Sequence, residues 1–193
     1  MAHPARKRAT YEDVLAAPPH VVAEVLFGVL YTHPRPGAPH AKAASVLGMD
    51  LGGPFDRGRG GPGGWLLLDE PELHLDEDIV VPDLAAWRRS RMPDVPIGAY
   101  FSLAPDWICE VLSVSTQAID RTEKMSIYAR EGVRHAWLVD PLARTLEVYR
   151  LESAGWLRVG IWREDALVRA EPFDAVELEL GVLWTRVPAD SLP

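Results

Sequence analysis

A chain of 193 residues, 48% hydrophobic and 25% charged, has the composition of one globular domain with a sizeable core and is too apolar for intrinsic disorder. Its 20 Lys and Arg against 28 Asp and Glu leave a net charge of −8, so the chain as a whole repels nucleic acid and acidic membrane surfaces and any polyanion contact must be local. The single cysteine, Cys109, excludes an intrachain disulfide and a cysteine zinc cluster; with no apolar run of membrane-spanning length and no signal-like h-region, the expectation is a soluble, unprocessed, cytoplasmic protein.

Thr10, with Asp13 three residues on, forms a capping box for a short helix, TYEDVLAA, which Pro18 and Pro19 stop. VVAEVLFGVLYTH carries two apolar runs about Gly28 and predicts a hairpin with Gly28 in the turn. In residues 38–51, APHAKAASVLGMDL, Ala43, Val46, Leu47 and Leu51 recur at helical spacing, with His40 in the first turn and Gly52 and Gly53 as the end. Residues 52–64, GGPFDRGRGGPGG, have the composition of a flexible loop. The run 69–78 holds six acidic side chains and predicts an exposed strand and turn rather than core.

IVVPDLAAW (79–87), WICEVLSV (107–114) and HAWLVD (135–140) are too apolar for an exposed face and predict central strands buried on both sides. Between the last two, DRTEKMSIYAREG places Asp120 as N-cap, Glu123 three residues on and Gly132 just past the end of a helix. Strand, helix, strand implies a parallel crossover and hence a mixed α/β sheet. Beyond it TLEVYRL and GWLRVGIW alternate as a hairpin through ESAG, and ALVRAEPF and AVELEL add two short strands.

The chemistry resides in two carboxylates placed in apolar strands, Asp83 and Glu110. An ionised carboxylate leaves water at high cost, so each must be paired, hydrogen-bonded, protonated or bound to a metal. If their strands are neighbours, the two face one another and make a hard-oxygen site suited to Mg²⁺ or Mn²⁺. The competing reading is that each meets a buried arginine or caps a loop. Pro82 beside Asp83 marks a distortion of the strand. Lys124 shares a helix face with Ile127 and Tyr128, which either turns its ammonium toward the carboxylates, where it would stabilise a scissile phosphate, or lets it snorkel past apolar neighbours to the surface. Lys124→Met is expected to change stability little. Glu24 is a further carboxylate in an apolar run, or else the exposed face of the hairpin. His40 is a candidate base or a solvated residue of the first helical turn, and Ser113, Ser115 and Thr116 either cap the next helix or touch phosphate. Nucleophile elbows, Walker loops, HExxH and GxGxxG motifs are absent, which leaves serine hydrolases, P-loop NTPases, zincins and dinucleotide enzymes without support.

Together, VVPDLAAW, WICEVLSVST, DRTEKMSIYAREGVRHAWLVDP and TLEVYRL resemble the Uma-two family of restriction endonucleases, a bacterial branch of the PD-(D/E)XK phosphodiesterase superfamily, from about Tyr11 to Leu180. The resemblance implies an α/β fold of the restriction-endonuclease type, a mixed central β-sheet flanked by helices with extra β-hairpins, and one nuclease-like domain over residues 1–193 with its core at about 11–180. By analogy Asp83 and Glu110 are metal ligands, Asp120 and Lys124 the helical pair, Glu24 the early glutamate and His40 the early histidine. The chain departs from the pattern at Leu112, where the superfamily carries its lysine, at Phe27 and Val29 in the first hairpin, and at Val114. The implied activity is Mg²⁺-dependent (or Mn²⁺-dependent) hydrolysis of DNA. Asp83, Glu110, Lys124 and Glu24 would form its catalytic set, with His40, Ser113 and Asp120 as candidate substrate contacts. The alternative is a non-catalytic module that keeps the fold to bind nucleic acid or a protein. Trp156, Trp162 and Trp184 on the C-terminal strands predict an aromatic surface and a homodimer; no membrane partner is expected.

Overall fold

In the computed structural model, which describes residues 7–185, the apolar runs pair into two main sheets. The capping box closes as expected at α1 (Tyr11–Leu15), where the Thr10 amide donates to Asp13 Oδ2 at 2.8 Å. β1 (Val21–Leu26) and β2 (Val29–Pro34) form the expected hairpin, turned by Phe27 and Gly28, both at positive φ. A bulky residue rarely adopts that region. The Phe27 amide donates to Asp78 Oδ1 at 2.5 Å, which anchors the turn.

α2 (Ala38–Leu51) buries Ala43, Leu47 and Leu51, the spacing that predicted it. It does not stop at Gly52. One π-helical turn, Gly52–Asp56, continues it and buries Phe55 against Phe173, so the glycine-rich stretch begins in the core and only its later part is loop. β3 (Trp65–Asp69), β4 (Leu73–Leu75) and β5 (Asp78–Val80) follow. The acidic run therefore departs from expectation: Leu73 and Leu75 are buried, and so is Asp78, whose charge Arg130 meets at 2.8 Å. The intervening acidic residues Glu70, Asp76 and Glu77 remain exposed.

The run 79–87 is two strands, not one. β5 ends in a four-stranded sheet ordered β2-β1-β5-β4, and β6 (Leu84–Arg88) belongs to a six-stranded sheet that is completed by β7 (Trp107–Val111), β8 (His135–Asp140), β9 (Thr145–Glu152) and β10 (Gly155–Arg163), in the order β10-β9-β8-β7-β6-β3. Pro82 lacks the amide that a continuous ladder requires, and the chain crosses from one sheet to the other over Val81, Pro82 and Asp83. Asp83 thus stands at a junction between sheets. In the larger sheet β7 and β8 are parallel and every other pair is antiparallel.

A helical stretch connects β7 to β8: α3 (Gln117–Ile119), a π-helical turn (Asp120–Lys124) and α4 (Met125–Arg130). It begins earlier than the sequence suggests, because Thr116 takes the N-cap position; Asp120 lies inside the helix and caps nothing. Gly132, at φ 73°, follows its end as expected. β11 (Leu167–Val168) and β12 (Leu178–Glu179) make a small separate pair. The result is the expected mixed α/β architecture, with a partly parallel central sheet, flanking helices and additional hairpins.

Two apolar clusters cover the larger sheet. On one face Trp65, Trp107 and Trp137 surround Phe173 beneath α2. On the other, Ile108, Leu112 and Leu138 pack with Ile127 and Tyr128 of α4 and with Leu26, Leu73 and Val80 of the smaller sheet. The tryptophans expected at a dimer surface are used within the chain: the indole N–H of Trp184 donates to Glu164 O, that of Trp156 to Met125 O, and Trp162 packs against the first cluster. Among the described residues no helix is long and apolar enough to cross a membrane.

Candidate active site

Strand alternation decides where Glu110 points. On β7, Trp107, Cys109 and Val111 join the cluster under α2, whereas Ile108 and Leu112 join the cluster on the opposite face. Glu110 falls between Ile108 and Leu112 and shares their face, toward the helix 117–130 and the smaller sheet. Leu84 pairs with Cys109, and the same register carried back one residue sets Asp83 across from Glu110. The Val111 amide donates to Asp83 Oδ2 at 2.7 Å and ties the junction to β7. His40, from the first turn of α2, places Nε2 3.2 Å from Asp83 Oδ1; its Nδ1 is buried without a hydrogen-bond partner among the described residues.

Lys124 enters from the π-helical turn and is 3% exposed. Its Nζ lies 2.9 Å from Glu110 Oε1, 3.1 Å from Glu24 Oε1 and 3.8 Å from Asp120 Oδ1, and it donates to the Val81 carbonyl at 3.1 Å. Glu24, projecting from β1, accepts the Val81 amide at 2.7 Å. Glu110 Oε1 also accepts the Tyr128 hydroxyl at 2.5 Å. Glu24, Asp83, Glu110, Asp120, Lys124 and His40 line one cavity of about 220 Å³, together with Ser113, Ser115 and Thr116. The three hydroxyls form a turn of their own, with Ser113 Oγ 3.0 Å from Ser115 Oγ and 2.9 Å from Thr116 Oγ1.

Charge is unevenly distributed here. Burial alone would lower the Lys124 ammonium, but Glu110 and Glu24 outweigh it and hold the group charged well above its usual range. Burial lifts Glu110 well above the usual carboxylate range; Lys124 opposes this, and the charges of Asp120, Asp83 and Glu24 add to it. Asp120 is raised for the same reason, burial first, against Lys124 and the Thr116 hydroxyl. Burial would lower His40, yet its hydrogen bond to Asp83 and the Asp83 charge bring it above the usual imidazole value. One buried ammonium is shared by Glu24, Glu110 and Asp120.

The structure brings every residue singled out in the sequence, Glu24, His40, Asp83, Glu110, Ser113, Asp120 and Lys124, to this one cavity. Two of the competing readings are overturned: Lys124 does not snorkel to the surface, and Glu24, at 3% exposure, is not on an open hairpin face. The expectation that Lys124→Met is mild falls with the first. Arg121, the nearest alternative cation in the sequence, is engaged elsewhere, 2.6 Å from Glu147. The sequence reading missed the Tyr128 hydroxyl, the Val81 carbonyl and His33, whose Nε2 lies 3.8 Å from Glu24 Oε2. Only Tyr128 left a trace, as a phenol one turn beyond Lys124 on a buried helix face, where a hydroxyl needs a partner.

The sequence model of a family named Uma2, described as a putative restriction endonuclease, matches residues 8–182. The chain belongs to the Uma2 family. Among solved structures this Uma2 chain is similar to a putative nuclease belonging to DUF820 from Anabaena variabilis, at a TM-score of 0.74 and 24% identity over 91% of this chain and 97% of that one, which shows a shared fold. No curated protein matches the Uma2 chain.

Proposed function

We propose that the protein is a Mg²⁺- or Mn²⁺-dependent DNA endonuclease centred on Asp83, Glu110 and Lys124. The observation that carries this reading is the convergence of carboxylates on one cavity: Glu24, Glu110 and Asp120 are buried around the ammonium of Lys124, and the partly buried Asp83 lines the same cavity. The donor set fits a hard divalent cation. Among the described residues no three of His, Cys, Asp and Glu converge as a ready cage. Mg²⁺, however, is held by one or two carboxylates and keeps several waters, so Asp83 and Glu110 suffice. Such an ion would supply an activated water and offset charge on a phosphoryl oxygen.

The chain's own groups divide the remaining work. The Val111 amide and His40 orient Asp83, and Glu24 with the Val81 carbonyl fixes the ammonium of Lys124 beside Glu110. An ammonium at that position can stabilise the negative charge that builds on a phosphate. His40, Ser113 and Asp120 line the same cavity as candidate substrate contacts. A non-catalytic nuclease-fold module is the second reading, favoured by the way Lys124 already pairs with both Glu24 and Glu110.

Incubation with plasmid and single-stranded DNA separates the two: the enzyme cleaves with Mg²⁺ or Mn²⁺, loses cleavage on chelation and is inactive as Asp83→Ala. In the same preparations either ion should raise the Tm of the wild type and leave Asp83→Ala and Glu110→Ala nearly unmoved, since a ligand at 100 times its Kd stabilises the fold by about 2.7 kcal/mol. An equal rise in all three proteins would place the ion elsewhere, for instance on the acidic run 69–78.

A further inference from the structure

We infer that Tyr128 is a positioning residue for Glu110, setting which carboxylate oxygen is offered to the cation; the inference rests on the metal-dependent reading above. The Tyr128 ring is fully buried in the apolar cluster that also holds Leu112, Met125, Ile127 and Leu138. Packing explains the ring but not the hydroxyl, because a phenylalanine would fill that space without bringing an oxygen out of water. The hydroxyl instead donates to Glu110 Oε1 at 2.5 Å.

Lys124 Nζ approaches that same oxygen, at 2.9 Å. A hydrogen-bond donor and an ion-pair partner from successive turns of one helix therefore converge on Oε1, and Oε2 has no hydrogen bond within the described residues. A carboxylate held in this way has one oxygen committed to the protein and the other available in the cavity that Glu110 shares with Asp83. Without the phenol, only the flexible lysine stem would restrain the Glu110 side chain. A phenol has a single proton to donate, so its direction is fixed, and hydrogen bonds to a charged oxygen are the stronger kind. Groups that orient metal-binding carboxylates in this manner are commonly worth ~10- to 100-fold in metal affinity.

The test is a calorimetric titration with Mn²⁺ alone, at constant pH, of the wild type, Tyr128→Phe, Glu110→Gln and the double variant. Tyr128→Phe should fold as the wild type does by circular dichroism and bind Mn²⁺ ~10-fold or more weakly. In the Glu110→Gln background the same change should have no further effect, because its influence passes through Glu110. A structural role would weaken binding equally in both backgrounds, and that result overturns the inference. Wild-type affinity in Tyr128→Phe beside weakened binding in Glu110→Gln also overturns it, while leaving the metal-dependent reading intact. Wild-type affinity in Glu110→Gln removes Glu110 as a ligand, and both readings fall. Tyr128→Met, which likewise lacks the hydroxyl, provides the same comparison if Tyr128→Phe does not fold.

Discussion

Glu110 and Glu147 occupy one row of the central sheet, since both pair with Leu138 of β8, from β7 and β9 respectively. Their surroundings are opposite. Glu147 accepts Arg121 at 2.6 Å and the Tyr149 hydroxyl at 2.7 Å, and Arg158 lies 3.5 Å away. Burial would raise it, but these donors prevail and hold its carboxyl below the usual range. Glu110 shares its lysine with Glu24 and Asp120 and is pushed well above that range. Arg121 and Lys124 come from the same helical turn, so one short segment balances the first carboxylate and leaves the second in deficit. A carboxylate that is fully matched serves the fold. One left with surplus negative neighbours is the kind of group that functional sites collect, which is why the metal-dependent reading is proposed at Glu110 and not at Glu147.

The comparison breaks most visibly at Lys124. Lys124→Met leaves Glu24, Glu110 and Asp120 buried without their shared cation, and removing one partner of a buried pair costs ~3–5 kcal/mol, so urea unfolding near neutral pH should show a loss of that size. Cleavage should fall ~10²-fold or more in the protein that remains folded. A variant as stable as the wild type would mean that the carboxylates are already neutral.

Glu147→Gln tests the matched side. It should lower Tm by ~2–4 °C, the effect of about one net hydrogen bond in a chain of this length, and leave the response to Mn²⁺ unchanged. Because the folded carboxyl titrates below its unfolded value, the stability it provides is present above the ordinary carboxylate range and lost as pH falls through the folded value. Wild type and variant should therefore converge in acid when Tm is followed against pH. The smallest effect is expected at Asp120, where the shift has the other sign. Its ionised form is disfavoured in the fold, so Asp120→Asn should raise Tm at neutral pH by up to ~2 °C. The gain should shrink as pH falls below the raised folded value and vanish only near the ordinary carboxylate range, where the unfolded chain is protonated as well.

Much of this was legible in the sequence because the relevant patterns are local. The first hairpin, α2 and the strands around Glu110 follow from period and turn chemistry, and a carboxylate within WICEVLSV could not be indifferent to its neighbours. What escaped depends on distant pairing. IVVPDLAAW is uniformly apolar because both sheets bury their shares of it, so only Pro82 signalled the crossing that places Asp83. Asp78 looked exposed among other acids because Arg130, its partner, lies far along the chain. Asp120 imitated an N-cap through its spacing to Glu123, while Thr116 held the position.

The junction over Val81, Pro82 and Asp83 also governs when the centre can exist. Its backbone and side-chain bonds reach Glu24 across 57 residues, Lys124 across 43 and the Val111 amide across 28. Contacts of that span gain stability only after long loops have closed, so they accompany the docking of the two sheets and do not precede it. A partly synthesised chain that ends before Lys124 lacks the ammonium, and one that ends before β7 lacks Glu110 and the amide that orients Asp83. Assembly from such widely separated parts means that the cavity is complete only once both sheets and the connecting helix are in place.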